Sequence, residues 1–237
     1  MKKLFAILLA FAFSVNAYAS PRKPNFRHLG LEDGLSSITI SDIWTDPSGV
    51  IWIATVVGLD RYDGNSISRM EVPYEIHQGI PDMITKQLAG TNDGYLYVLY
   101  GNCIGLLNTY TEEIKLYLPE ICNYITYSDG LWIAQKNNLL FSDNPDSMPK
   151  NICTIPSAYG EITAISRSAN GDVWIGSESG KLLKLTGAGK LEVVSESLTS
   201  KIQRIYIDSN ETVWVGYLLD GVVSISEDGI QTRYVQA

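Results

Sequence analysis

Few residues in this chain carry chemistry. His77 and Glu75 stand two apart on one connection, and a histidine beside a carboxylate is a unit of acid–base work. No nucleophile elbow or metal-ligand pattern accompanies them. Glu112 and Glu113 are adjacent, so on a strand they face opposite sides and cannot share a reacting atom. Asp46, Asp93, Asp129 and Asp208 recur just ahead of similar strands, which reads as turn chemistry. A second set suits recognition rather than reaction. Gln135, Asn137, Glu178 and Tyr217 follow repeated strands, and Tyr74 joins His77 on a long connection. They combine aromatic faces with planar polar groups, as binding sites for small polar molecules do. These six residues are the candidate ligand-binding set; no catalytic residue and no metal site is predicted.

What must position them is a repeat. Residues 34–64, GLSSITISDIWTDPSGVIWIATVVGLDRYDG, hold a β-branched run over 38–45, a turn at 46–49, a second strand over 50–55 and a third from Gly58 to Tyr62. Degraded copies return four more times, anchored at Trp52, Tyr97, Trp132, Trp174 and Trp214 with separations of 45, 35, 42 and 40 residues. A turn glycine precedes four anchors (Gly49, Gly94, Gly130, Gly171), and Glu211 breaks that rule in the fifth copy. A small residue stands two places after four of them (Ala54, Ala134, Gly176, Gly216). A period near 40 accommodates four strands of about six residues with turns of about four, which is one propeller blade. The runs VIWIAT, GLWIA and DVWIGS are nearly continuous apolar stretches, the pattern of strands covered on both faces.

The predicted fold is therefore all-β, a β-propeller of four-stranded antiparallel blades with about five blades present, and the anchors pack between blades. An incomplete ring is the alternative to a closed one. Phe26–Leu29 reads as a strand standing alone before the first copy, and Ile230–Val235 as the fourth strand of the last.

Met1-Lys2-Lys3, the apolar run Leu4–Val15 and Ala17-Tyr18-Ala19 form a secretory signal peptide over residues 1–19, leaving 20–237 as the propeller domain. The apolar run is too short to span a bilayer, which needs about 20 residues, so no membrane span is expected in the mature chain. Its 16 basic and 26 acidic side chains form no basic cluster, which excludes nucleic acid and anionic membrane surfaces as expected partners. Three cysteines, Cys103, Cys122 and Cys153, permit one bridge, conceivably Cys103–Cys122. They read better as small buried apolar residues.

GLSS followed by DIWTDPSGVIWIATVVGLDRYDG closely resembles the two-component regulator propeller repeat. NGDVWIGSESG and ETVWVGYLLDG carry the resemblance less fully, and the second and third copies weakly. FRHLGLEDGLSS resembles the mature N-terminus of such sensors, so the likeness runs over residues 24–237. It implies a periplasmic, non-enzymatic sensor module that detects an oligosaccharide and belongs to a two-component system. Tyr74, His77, Gln135, Asn137, Glu178 and Tyr217 are then candidates for stacking on sugar faces and bonding their hydroxyls. Family members continue with further blades, a β-sandwich, a membrane helix, a kinase and DNA-binding output; no kinase or output signature is read in this sequence. Expected partners are an oligosaccharide and either a second copy or the remaining sensor domains, with no cofactor. The lone strand over 26–29 favours the opening part of a longer sensor over a stand-alone protein. Two other functions stay open: a stand-alone scaffold for protein–protein interaction, and a propeller hydrolase or lyase built around His77.

Overall fold

Each copy of the repeat folds into one antiparallel sheet. The computed structural model describes residues 26–72, 84–101, 103–195 and 199–235. The predicted signal peptide, Tyr74 and His77 lie outside the described residues. Blade 1 holds β1 (Ile40–Thr45), β2 (Ile51–Thr55), β3 (Gly58–Tyr62) and β4 (Ile67–Arg69); blade 2 holds β5 (Gln87–Gly90), β6 (Tyr95–Leu99), β7 (Ile104–Asn108) and β8 (Glu113–Leu118). Blade 3 holds β9 (Tyr124–Tyr127), β10 (Leu131–Gln135), β11 (Asn138–Ser142) and β12 (Lys150–Thr154). Blade 4 runs through β13 (Ile162–Arg167), β14 (Val173–Ser177), β15 (Leu182–Leu185) and β16 (Leu191–Ser195), and blade 5 through β17 (Ile202–Ile207), β18 (Val213–Tyr217), β19 (Gly221–Ile225) and β20 (Gln231–Tyr234). Strands neighbour one another in sequence order within every sheet. The result is the five-bladed propeller architecture expected from the repeat.

The turn chemistry recurs for a physical reason. Asp46 Oδ1 accepts from the Ser48 and Val50 amides at 2.9 and 3.0 Å, and Oδ2 accepts from the Trp52 indole N–H at 3.0 Å. One carboxylate thus closes the first turn and satisfies the polar edge of a buried anchor. Asp208 does the same for Trp214 at 2.9 Å. In blades 2 and 4 the turn is closed instead by Thr91 and Ser168 hydroxyls, so Asp93 does not repeat the role of Asp46. Glu211 explains how the fifth copy survives without its glycine: its φ is +58°, in the left-handed region that Gly49, Gly94 and Gly171 occupy at the equivalent turns.

Burial alone would raise the Asp46 carboxyl, but hydrogen bonds from Ser48, from the Trp52 indole and from the Val50 and Ser48 backbone outweigh it and hold Asp46 below its usual range. A folded value beneath the unfolded one of about 3.9 means this stabilisation is complete above that pH and is lost as pH falls through the folded value. Asp46→Asn is expected to lower stability by about 1–2 kcal/mol at neutral pH. The melting-temperature gap between the two proteins should narrow on acidification below about pH 4; a gap that stayed constant would remove the charge from the account.

The first strands line the axis: β1 lies beside β5, β5 beside β9, β9 beside β13 and β13 beside β17. Side chains latch successive blades. Asp42 accepts from Leu88 N at 3.0 Å, Gln87 accepts from Ile125 N at 3.1 Å, and Thr163 Oγ1 donates to Ile202 O at 2.6 Å. Between the two end blades, β17 and β1 share no packing of comparable extent among the described residues. Ile43 of β1 and Tyr206 of β17 stay 59% and 65% exposed. The second strands of blades 1, 3 and 4 are covered on both faces as predicted, whereas β18 of the last blade is covered only in alternation.

One local expectation changes. Phe26–Leu29 forms no strand, and the chain there leads into a 3-10 turn over Leu31–Asp33; Phe26 is exposed, and the last blade already supplies its own fourth strand in β20, leaving no vacant place in a four-stranded sheet. The fourth strand of the last blade is β20, within the predicted Ile230–Val235. Cys103 and Cys122 are separate buried thiols, with burial pushing Cys122 up to about 12.

Candidate ligand site at the loop end of the axis

In every blade the first strand starts at the end of the propeller where the second-to-third-strand loop returns. Backbone bonds tie the two together: Val56 N to Thr39 O at 3.3 Å, Glu178 N to Glu161 O at 2.9 Å and Leu218 N to Lys201 O at 2.9 Å. Four such starts converge on a cavity of about 370 Å³. Lys86 and Gln87 enter from blade 2, Asn123 and Tyr124 from blade 3, Thr163 from blade 4, and Lys201, Gln203 and Arg204 from blade 5. Arg204 reaches past blade 4 to place its guanidinium 5.6 Å from the Tyr124 ring centre, a cation–π contact. Gln87 and Thr163 are spent on the interblade latches. Lys86 donates to Gly101 O at 3.2 Å. Lys201, Gln203 and Arg204 are exposed. The cavity therefore offers one aromatic ring, amides and several cations.

No family model and no curated protein sequence matches the chain. Solved structures do match. The extracellular domain of a hybrid two-component system from B. thetaiotaomicron is 18% identical, over 89% of this chain and 37% of that one, with a TM-score of 0.52. A second such domain from the same organism is 15% identical, over 86% and 34%, with a TM-score of 0.58. The chain shares the fold of these sensor ectodomains. Virginiamycin B lyase from Staphylococcus aureus is 17% identical, over 84% of this chain and 70% of that one, with a TM-score of 0.69. At these identities the likeness is one of fold, and it fits the regulator-propeller resemblance carried by the repeats. The chain spans about a third of the length of the two sensor domains.

Of the residues singled out from the sequence, Gln135, Asn137, Glu178 and Tyr217 all lie at this loop end of the regulator-type blades, and none lines the cavity. Gln135 gives its amide to the Glu120 carboxylate. Asn137 donates to Ile155 O at 3.0 Å and accepts from Ile155 N through its backbone, pinning the chain after β12. Glu178 is exposed beside the Glu161 amide. Tyr217 is only 6% exposed and sits in the blade 4–5 core, with burial, and then Asp220, pushing its hydroxyl up. The lining residues carry a signal that alignment on the anchors alone hides. Ile43, Leu88, Ile125, Ile165 and Ile205 each pair with the residue after the anchor. Two places before them stand Ser41, Lys86, Asn123, Thr163 and Gln203, polar in every copy.

A larger cleft of about 600 Å³ opens at the opposite end, between blades 4 and 5. Several of its charges are already committed: Lys184 to Asp172 at 2.7 Å and to the Trp174 ring at 5.5 Å, and Glu192 to Lys190 at 2.8 Å. Such groups would have to break existing pairs to hold a ligand, which favours the axial cavity. Among the described residues no group of three His, Cys, Asp or Glu side chains is placed to hold a metal ion, and no helix is long and apolar enough to cross a membrane.

Proposed function

We propose that this chain is the ligand-binding propeller of a periplasmic two-component sensor and that it takes an oligosaccharide at the loop end of its axis. The observation that carries the proposal is the axial cavity, where polar side chains from four blades surround one tyrosine. Sugars present apolar C–H faces rimmed by hydroxyls, and such a lining answers both. The leader over residues 1–19 supports export, and the sensor ectodomains of like fold support the sensing role. A ligand held by several blades also suits a sensor mechanically, because binding couples units that otherwise touch only their neighbours.

The module acts by binding and not by turnover. Turnover of a glycoside or ester abolished by His77→Ala would reverse this assignment. The exposed apolar surface of the last blade, with Tyr206, Leu219 and Val235, is where a second copy or further sensor domains would join, and a clean monomer by light scattering would count against a homodimer.

The direct test is thermal denaturation of the mature protein against a panel of oligosaccharides. A ligand at 100 times its Kd stabilises by about 2.7 kcal/mol, a shift of about 5–10 °C for a domain of this size. Gln203→Ala with Lys86→Ala should remove the shift while leaving the ligand-free melting temperature unchanged. A broad panel without any shift would overturn the proposal.

A further inference from the structure

We infer that the axial cavity recognises the negative charge of an acidic sugar, a uronate or sulfated residue, in preference to a neutral one. This inference deepens the oligosaccharide proposal and rests on it.

The chain has 26 acidic and 18 basic side chains and a net charge of −8. The cavity nevertheless holds Lys86, Lys201 and Arg204, and among the described residues no Asp or Glu lines it. Elsewhere several cations are neutralised: Arg61, Arg167, Lys184, Lys190 and Arg233 each lie within 4 Å of a carboxylate. Among the described residues, none of the three cavity cations has such an ion pair. Lys86 meets only a backbone carbonyl, and Arg204 lies over an aromatic ring that orients it without cancelling its charge. Glu161, which borders the cavity through Asn123, is engaged by the Asn123 amide.

Three cations brought together from two blades repel one another, and an anion seated among them relieves that repulsion. Arg204 supplies the planar fork that grips a carboxylate or sulfate through two parallel bonds, while Lys86 and Lys201 add point charges. Gln203 remains for hydroxyls. The same arrangement that binds a charged sugar leaves three cations without a counter-charge when the sugar is neutral, and that difference favours the charged one.

Calorimetric titration of the mature protein tests this with four probes: a uronate-containing disaccharide, a sulfated disaccharide, a neutral disaccharide of equal size, and sodium sulfate. One of the acidic disaccharides should bind at least about tenfold more tightly than the neutral one, the difference expected for one hydrogen-bonded charge. Its affinity should fall with added salt. Lys201→Met, which removes an exposed charge with no packing role, and Arg204→Gln should each weaken it by about tenfold or more. The acidic probe that wins identifies carboxylate or sulfate as the charge read. Equal binding of the neutral disaccharide, insensitive to Lys201→Met, would overturn the charge assignment and leave the oligosaccharide proposal standing. Binding of sulfate alone would uphold the charged site and overturn the sugar; silence from every probe would overturn both.

Discussion

Trp52→Ala should lower the stability of the protein by about 3–5 kcal/mol, or about 6–20 °C in melting temperature for a domain of this size. Trp52 is fully buried between blades 1 and 2, in one cluster with Leu59, Leu88, Leu96, Val98 and Tyr100. Removing the indole forfeits its transfer free energy and leaves a cavity that two rigid sheets cannot close. It also strips Asp46 of the indole N–H that it accepts at 3.0 Å, leaving a carboxylate oxygen less well satisfied. Trp214 is the internal control. It keeps the equivalent bond to Asp208 at 2.9 Å and stacks on Tyr234 at 5.7 Å, but it is half-buried on the last blade, which has a described neighbour on one face only. Trp214→Ala should cost clearly less than Trp52→Ala. Equal losses in denaturant titrations would show that the anchors stabilise their own blades rather than the interfaces between them.

Gly90→Ala should cost about 1–3 kcal/mol although it adds a single methyl group. A Cβ built on Gly90 would lie 1.9 Å from Cε2 and 2.1 Å from Cζ2 of Trp44. An indole is rigid and has no free end to swing aside, so blade 1 or blade 2 must shift as a body. The effect should be concentrated at that interface. Trp44→Leu in the same protein should recover part of the loss, giving a double-mutant coupling of the size seen for residues in contact, about 0.5–3 kcal/mol. Strict additivity of the two changes would place the cost in the backbone of β5 instead. Gly176 offers a milder version at the blade 4–5 interface, where the added Cβ would meet a methyl of Ile202 at 2.5 Å.

The glycine at Gly176 and the alanines at Ala54 and Ala134 were visible in the sequence as small residues after the anchors, and their cause is this close approach of the next blade. Gly90 was not visible, because its reason is one tryptophan of the preceding blade and not the repeat. Glu211 is the converse case: the sequence shows a broken rule, while the structure shows the same left-handed turn held by another residue. A backbone conformation belongs to the fold, and glycine is only the least costly way to reach it.

The sequence by itself determined the blades. Continuous apolar strands, turn chemistry and the 35–45-residue spacing of the anchors are local properties, and each blade is built from neighbours in sequence. It also put the loops after the second strands on one side, the end where the axial cavity lies. The lining of the axial cavity was decided only by tertiary structure. Lys86, Asn123, Thr163 and Arg204 are separated in sequence by whole blades, and they meet because the first strands pack side by side around one axis. Tyr217 and Asn137 have the residue types of a sugar site, but the fold spends the first on the core and the second on holding the chain. Residue type is written locally; convergence and burial are set by packing between blades.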